Sequence, residues 1–139
     1  MNLGRAISIA AQGFQNITDK GGQPYILHCI RVMNQMDTEE EKIVAILHDV
    51  IEDGISSLED LIKERFSQNV IYALILLTHE KEQSYDDYIK KISTDKLATK
   101  VKLADLKDNS DITRLKGLSK KDFDRMEKYH RSYIYLSKI

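Results

Sequence analysis

This sequence has little of what interrupts helices or cross-links a secreted protein. Its 139 residues include one proline, six glycines and one cysteine. Proline and glycine most often end helices, so their scarcity leaves long segments that can be helical, and strict strand-like alternation is rare. The lone Cys29 cannot form an intrachain disulfide, which argues against the disulfide-rich secreted class. We expect Cys29 to be a small buried residue.

A strong net charge, a signal peptide and a membrane-spanning run are also missing. The 21 basic and 22 acidic side chains give a formal net charge of -1, so no basic field favours nucleic acid. Met1–Arg5 lacks the apolar core of a signal peptide, and no apolar run reaches membrane-spanning length. The length suits one domain with its own core. We therefore expect a single cytoplasmic domain over residues 1–139, without a nucleic-acid or membrane partner.

The segments between the few breakers predict an all-α fold, a compact bundle of several helices. The predicted helices span residues 2–14, 24–36, 39–53, 57–66, 67–79, 84–93, 95–108 and 120–137. Thr38 with Glu41 has the form of an N-terminal capping box. Pro24 suits the first turn of its helix, and Gly54 suits the position after the end of a helix.

A cluster of ionisable side chains directly follows an apolar run in the third predicted helix. It consists of His48, Asp49, Glu52 and Asp53. At about 100° per residue, positions four apart lie on nearly the same helix face. Glu52 is therefore expected on the face of His48, and Asp53 on the face of Asp49. Desolvating four such groups is costly unless a divalent cation compensates. A solvated acidic helix end is the alternative interpretation.

Two further segments place polar residues on apolar helical stripes. They carry His28 in one case, and Asp105 with Asn109 in the other. A single residue of this kind is more often a hydrogen-bonded core residue than a ligand. Together, however, His28, His48, Asp49 and Asp105 form a set of two imidazoles and two carboxylates. Such a set suits Mn²⁺, Fe²⁺, Co²⁺ or Zn²⁺, and suits Ca²⁺ or Mg²⁺ poorly.

Three ordered motifs carry a resemblance to a known family. They are Pro-Tyr-Ile-x-His ending at His28, His-Asp-x-x-Glu-Asp beginning at His48, and Val-Lys-Leu-Ala-Asp-x-x-x-Asn ending at Asn109. Over residues 5–136 the chain resembles HD phosphohydrolases, and more narrowly the small stand-alone hydrolases of the RelA/SpoT type. The resemblance implies an HD-domain enzyme whose metal-activated water removes the 3′-pyrophosphate of guanosine tetra- or pentaphosphate. It implies Mn²⁺ as the metal, with Fe²⁺, Co²⁺ or Zn²⁺ as alternatives.

The resemblance also implies which side chains transfer protons. Glu52 and Asp53 match the family pair that orients or deprotonates the nucleophile and helps proton transfer to the leaving group. We expect one of the two to have a raised pKa, because close carboxylates in a partly dry pocket resist double ionisation. The chain has no ATP-binding glycine loop and no length for an appended synthetase domain, so we expect hydrolysis alone.

Substrate contacts follow from the same resemblance. Lys20 matches a lysine beside the guanine base, and Asn109 an asparagine near the sugar and phosphate. Arg125 and Tyr129 match residues that contact nucleotide phosphates. Asp19 stands where the family commonly has arginine, so we expect weaker cation–π stacking on the base and a negative charge beside it.

Several alternatives stay open. Arg125 can equally form a surface salt bridge with Asp122 or Asp124. The small-molecule nucleotide can be another phosphate ester, such as NADPH with its 2′-phosphate or a nucleoside phosphate, because HD sites share one metal chemistry and differ in their pocket walls. A nucleotide-sensing module without turnover is a third interpretation, although neither a ligand nor the Glu-Asp pair has been lost. The tyrosine-rich last helix could supply a homodimer surface.

Overall fold

The computed structural model describes residues 2–139, which form eight α-helices and a short 3₁₀ turn. The helices are α1 (Leu3–Gly13), α2 (Ile26–Met33), α3 (Glu39–Leu47), α4 (Leu58–Lys63), α5 (Gln68–Leu77), α6 (Tyr85–Ile92), α7 (Lys96–Asn109) and α8 (Lys120–Ser137), with the 3₁₀ turn Ile112–Arg114 before α8. The only strand-like pairing in this part of the chain is an isolated bridge between Thr18 and Pro24. The all-α prediction is confirmed. None of the helices described is both long enough and apolar enough to cross a membrane.

Helices α3 and α7 form the centre of the bundle. The last five residues of α3, 43–47, are all buried, and α3 contacts α1, α2, α5 and α7. The second half of α3 is therefore apolar on every side and buried, whereas its first half, residues 39–42, is charged. Helix α7 contacts α2, α3, α5, α6 and α8. His48, directly after α3, lies 3.2 Å from Asp105 of α7, measured from Nε2 to Oδ1, so the central helices bring distant ionisable residues together.

Two helix starts test the sequence patterns. Thr38 forms the predicted capping box with Glu41, because its side chain accepts from the backbone of Glu41 while the Glu41 side chain reaches back. The placement of Pro24 in the first turn of α2 is wrong. Pro24 pairs with Thr18 in the isolated bridge, and α2 begins two residues later, at Ile26. Proline has no N–H to donate, so it suits this edge position as well as a helix start.

The end of α3 also differs from the prediction. The regular helix ends at Leu47 rather than at residue 53, and turns follow it. The Ala45 carbonyl, which would accept from the Asp49 N–H in a continuing helix, lies 2.6 Å from Nδ1 of His48. The Asp53 N–H still donates to the Asp49 carbonyl at 3.0 Å, so the expected one-turn relation between these two residues holds. Gly54 then has a φ of +73°.

Gly54→Ala is expected to lower the free energy of unfolding by about 1–2 kcal/mol, because residues with a Cβ are strained in the left-handed region. Nothing lies within 4 Å of a Cβ placed at Gly54, so no clash adds to this effect. Gly117 is equally open and lacks the positive φ, so Gly117→Ala should be neutral or stabilise by about 0.4–1 kcal/mol. Urea unfolding of both variants measures the difference, and equal losses would contradict the explanation.

Candidate metal centre and adjoining pocket

Four side chains from three segments meet beside the central helices. They are His28 from α2, His48 and Asp49 from the residues after α3, and Asp105 from α7. One potential ligand atom from each lies within 4.8 Å of the other three. Asp49 is partly exposed and the other three are buried. The structure thus brings the four predicted ligands together, and their binding of a metal stays a prediction.

Both imidazole rings direct Nε2 at the carboxylates. Nε2 of His28 lies 3.0 Å from Oδ1 of Asp105 and 3.8 Å from Oδ2 of Asp49. Nε2 of His48 lies 3.2 Å from the same Asp105 atom and 3.0 Å from Oδ2 of Asp49. The Tyr25 hydroxyl also donates to the Asp49 carboxylate. Two imidazole nitrogens and two carboxylate oxygens therefore converge on one point.

The electrostatics at this point favour positive charge. Burial opposes protonation of His48, but Asp49 and Asp105 raise the pKa of its ring well above the usual value. Burial likewise opposes protonation of His28, and hydrogen bonds to Asp105 and Asp108 still raise its pKa. A divalent cation would supply this positive charge while leaving both imidazoles neutral and able to coordinate. The donor set therefore fits such an ion.

Lys102 neighbours the cluster; it belongs to the third motif, but no role was predicted for it from the sequence. Its Nζ lies 2.9 Å from Oδ2 of Asp105, and the two side chains are only 11% and 6% exposed. Nζ also lies 5.1 Å from the centre of the Tyr88 ring. Despite burial, Lys102 and His48 hold the pKa of Asp105 well below its usual range. The signal available in the sequence was the lysine of the third motif, one turn before Asp105 on the same helix.

Lys102→Met is expected to destabilise the metal-free protein by about 3–5 kcal/mol, because it removes the cation that pairs with Oδ2 of the Asp105 carboxylate in a poorly solvated place. Lys100, two residues earlier on α7, pairs with Asp37 and Glu41 and is 38% exposed. Lys100→Met should therefore cost at most about 1 kcal/mol. Urea unfolding in the presence of EDTA compares the two variants. Equal destabilisation would show that burial does not make the Lys102–Asp105 pair more important for stability than the exposed ion pairs of Lys100.

Glu52 and Asp53, the predicted proton-transfer pair, have different surroundings. Asp53 lines the adjoining pocket. Partial burial, together with the charges of Asp49 and Glu52, raises the pKa of Asp53 to about 6. Glu52 accepts a hydrogen bond from the backbone N–H of His79 at 2.8 Å. A raised pKa is therefore found at Asp53, as expected for one member of the pair, and the backbone of His79 holds the Glu52 side chain.

A pocket of about 510 Å³ adjoins the cluster. Its wall includes all four predicted substrate contacts, namely Lys20, Asn109, Arg125 and Tyr129. Asn109 joins the pocket to the cluster, because its side-chain N–H donates to Oδ1 of Asp105 at 3.0 Å. This volume lies within the range of small-molecule sites, about 300–1,000 Å³. The four residues share one wall, and their contacts to a substrate stay predictions.

The cationic part of this wall contains Lys20 and Arg125. Burial, followed by the nearby charge of Arg125, lowers the pKa of Lys20, so the two cations are close enough to interact. Arg125 also pairs with Asp122, which was the alternative considered from the sequence. Arg125 therefore forms the ion pair with Asp122 and lines the pocket at the same time. Phosphate groups could bind here, since an anion would offset the repulsion between the two cations.

Asp19 contributes its carboxylate mainly to the loop that holds it. One oxygen accepts from the backbone N–H groups of Gly21 and Gln23, each at 2.9 Å. The other lies 3.1 Å from a guanidinium nitrogen of Arg114. Arg114, which no sequence argument identified, also lines the pocket. The negative charge expected beside the base is therefore paired with a cation from a different segment.

Comparison with known proteins relates this chain to solved structures. No protein-family model matches the chain, and no curated protein matches it. Among solved structures, one described as a metazoan ortholog of SpoT that hydrolyzes ppGpp and plays a role in starvation responses aligns with a TM-score of 0.79 and 22% identity. The alignment covers 96% of this chain and 84% of that chain. The two proteins share a fold. The resemblance found in the motifs is thereby confirmed at the level of architecture.

Proposed function

We propose that this chain is a metal-dependent phosphohydrolase that removes the 3′-pyrophosphate of guanosine tetra- or pentaphosphate. The observation that carries the proposal is the junction of a four-ligand cluster with a nucleotide-sized pocket through Asn109. The activity named for the solved structure of the same fold supports the choice of substrate. Cys29 is buried and free, which suits the reducing cytoplasm that we propose as the location.

The metal in this proposal is held by His28, His48, Asp49 and Asp105. Their mixture of nitrogen and oxygen donors suits a borderline divalent ion. We propose Mn²⁺ from the family resemblance, with Fe²⁺, Co²⁺ and Zn²⁺ as the ions against which it must be compared. Such an ion supplies two effects when bound, since it lowers the pKa of a coordinated water and polarises a phosphoryl oxygen.

The residues of the chain supply positioning and proton transfer. Arg125 contacts the anionic phosphates, and Lys20, beside the guanine base, adds a second positive charge to the same wall. Tyr129 lies on the same wall, and Nζ of Lys128 lies 5.6 Å from the centre of the Tyr129 ring. Glu52 and Asp53 orient the attacking water, accept its proton and return a proton to the leaving group.

The direct test is release of pyrophosphate from guanosine tetraphosphate by the Mn²⁺-loaded protein, with orthophosphate measured in parallel. We expect pyrophosphate and guanosine diphosphate as the two products, and no release after EDTA treatment or from the Asp105→Ala variant. Orthophosphate in place of pyrophosphate would contradict the assigned bond. Silence from a folded, metal-loaded protein would reject this substrate and leave another nucleotide phosphate ester, or a nucleotide-binding module without turnover, as the interpretation.

A second candidate substrate is the 2′-phosphate of NADPH or another phosphate ester of a nucleotide. The observation that favours it is the Asp19–Arg114 pair in the pocket wall, where the resembling family commonly has an arginine beside its lysine. Orthophosphate release from NADPH, measured under the same conditions, distinguishes the two. A kcat/KM for NADPH above that for guanosine tetraphosphate would make NADPH the preferred substrate.

A further inference from the structure

Asp108 occupies a position behind the candidate metal centre that the three motifs do not assign. Its carboxylate is 8% exposed, and Oδ2 lies 2.6 Å from Nδ1 of His28. Arg31 donates to both carboxylate oxygens, at 2.8 and 3.2 Å. Arg114 donates to Oδ2 at 2.9 Å. Two guanidinium groups therefore hold the carboxylate in place against one ring nitrogen of a predicted ligand.

The two predicted histidine ligands are oriented by different kinds of acceptor. Nδ1 of His48 lies 2.6 Å from the backbone carbonyl of Ala45, whose position is set by α3. Nδ1 of His28 has the Asp108 side chain instead. In both rings a proton on Nδ1 leaves the Nε2 lone pair free to coordinate a metal. Only the His28 arrangement depends on a side chain that can be replaced.

We propose that Asp108 is a positioning residue that holds the His28 ring with its Nε2 lone pair directed at the metal site. This inference rests on the proposed metal-dependent function and extends it to a residue without direct contact to the ion. Arg31 and Arg114 act through Asp108, because they fix the carboxylate. Arg114 also pairs with Asp19 at the pocket wall, so Asp108 links the metal ligand to the substrate side.

Asp108→Asn should disturb the ring more than its small change in shape suggests. In Asp108, Oδ2 lies against His28 and Arg114, whereas Oδ1 accepts from Nε of Arg31. An amide nitrogen in the Oδ1 place faces the Arg31 donor and leaves His28 with an uncharged acceptor. In the Oδ2 place it faces Arg114 and donates to Nδ1 of His28, so the ring proton moves to Nε2 and blocks coordination. Either placement should weaken the hold on the His28 ring. Asp108→Ala removes the acceptor altogether.

The experiment titrates the purified full chain with Mn²⁺ by calorimetry and with Co²⁺ by its visible absorption. We expect the metal Kd to rise about 10- to 100-fold in Asp108→Asn and Asp108→Ala, as for loss of other carboxylate partners of metal-binding histidines. The Co²⁺ spectrum should change as well. Circular dichroism establishes that each variant is folded, and the near-isosteric Asp108→Asn variant carries the test if Asp108→Ala does not fold.

Thr99→Val is the matched control. Thr99 is also on α7 and buried, and its hydroxyl donates to the Ile92 carbonyl at 2.9 Å, away from the cluster. This variant should lose stability and keep the wild-type metal Kd. A wild-type Kd in folded Asp108 variants would overturn the inference, as would equal weakening in Thr99→Val. A wild-type protein that binds no divalent ion would instead reject the proposed metal centre itself, and Asp108 with it.

Discussion

His48→Ala is expected to abolish both metal binding and hydrolysis of guanosine tetraphosphate. In the proposed metal centre the ring supplies one of four metal-donor groups, and its Nε2 lies within 3.2 Å of both Asp49 and Asp105. Without the ring, two close carboxylates remain opposite one imidazole, and the cation loses a neutral nitrogen ligand. Loss of a residue that only hydrogen-bonds to a metal ligand weakens metal binding by up to about 100-fold, so loss of a ligand itself should weaken metal binding by more than that. Metal analysis after purification and the pyrophosphate assay measure the two losses.

The control for this variant is His130→Ala. His130 is exposed on α8 and is predicted to leave metal content and turnover unchanged. If His48→Ala retains a full equivalent of metal, the four-residue cluster is not the metal site. Loss of metal without loss of hydrolysis would exclude a metal-dependent mechanism.

Glu52→Gln is expected to keep the metal and to lose a factor of about 10²–10⁴ in kcat, the usual contribution of a general acid or base. An amide oxygen can still accept from the His79 N–H, which lies 2.8 Å from the Glu52 carboxylate. The local backbone should therefore be preserved while the ability to take up a proton is lost. Metal content and kcat, measured on the same preparation, test the two halves of this prediction.

Asp53→Asn and Glu59→Gln complete this series. Asp53 lines the pocket, so its variant should also lose activity with the metal retained, and the larger of the two losses identifies the main proton-transfer group. Glu59 is exposed on α4 and should behave as wild type. Metal-free Glu52→Gln protein, or undiminished turnover by it, would remove Glu52 from the proposed chemistry.

Local patterns predicted most of the architecture. Helix positions depend on breakers, caps and apolar periodicity within one segment, and these were sufficient for eight helices and the Thr38–Glu41 capping box. The errors lie at segment ends. Pro24 forms a bridge with Thr18 and lies outside α2. Helix α3 ends early, where the His48 ring contacts the Ala45 carbonyl. In both places a contact made by a neighbouring group overrides the intrinsic preference of the segment.

Local motifs were enough to identify the residues that could bind a metal, because His28, His48, Asp49 and Asp105 each stand in a short segment of defined spacing. The surroundings of these residues depend on contacts between distant parts of the chain. His28 meets Asp108 across 80 positions of the chain, and Arg114 meets Asp19 across 95.

Such partners are selected by the packing of α2 against α7 and by the loops at their ends, and no local period encodes them. The raised pKa of Asp53 has the same origin, since it depends on burial and on charges collected from several segments. Motifs within single segments therefore identify the residues that could bind a metal. The protonation, orientation and pairing of these residues depend on groups that packing brings from elsewhere in the chain.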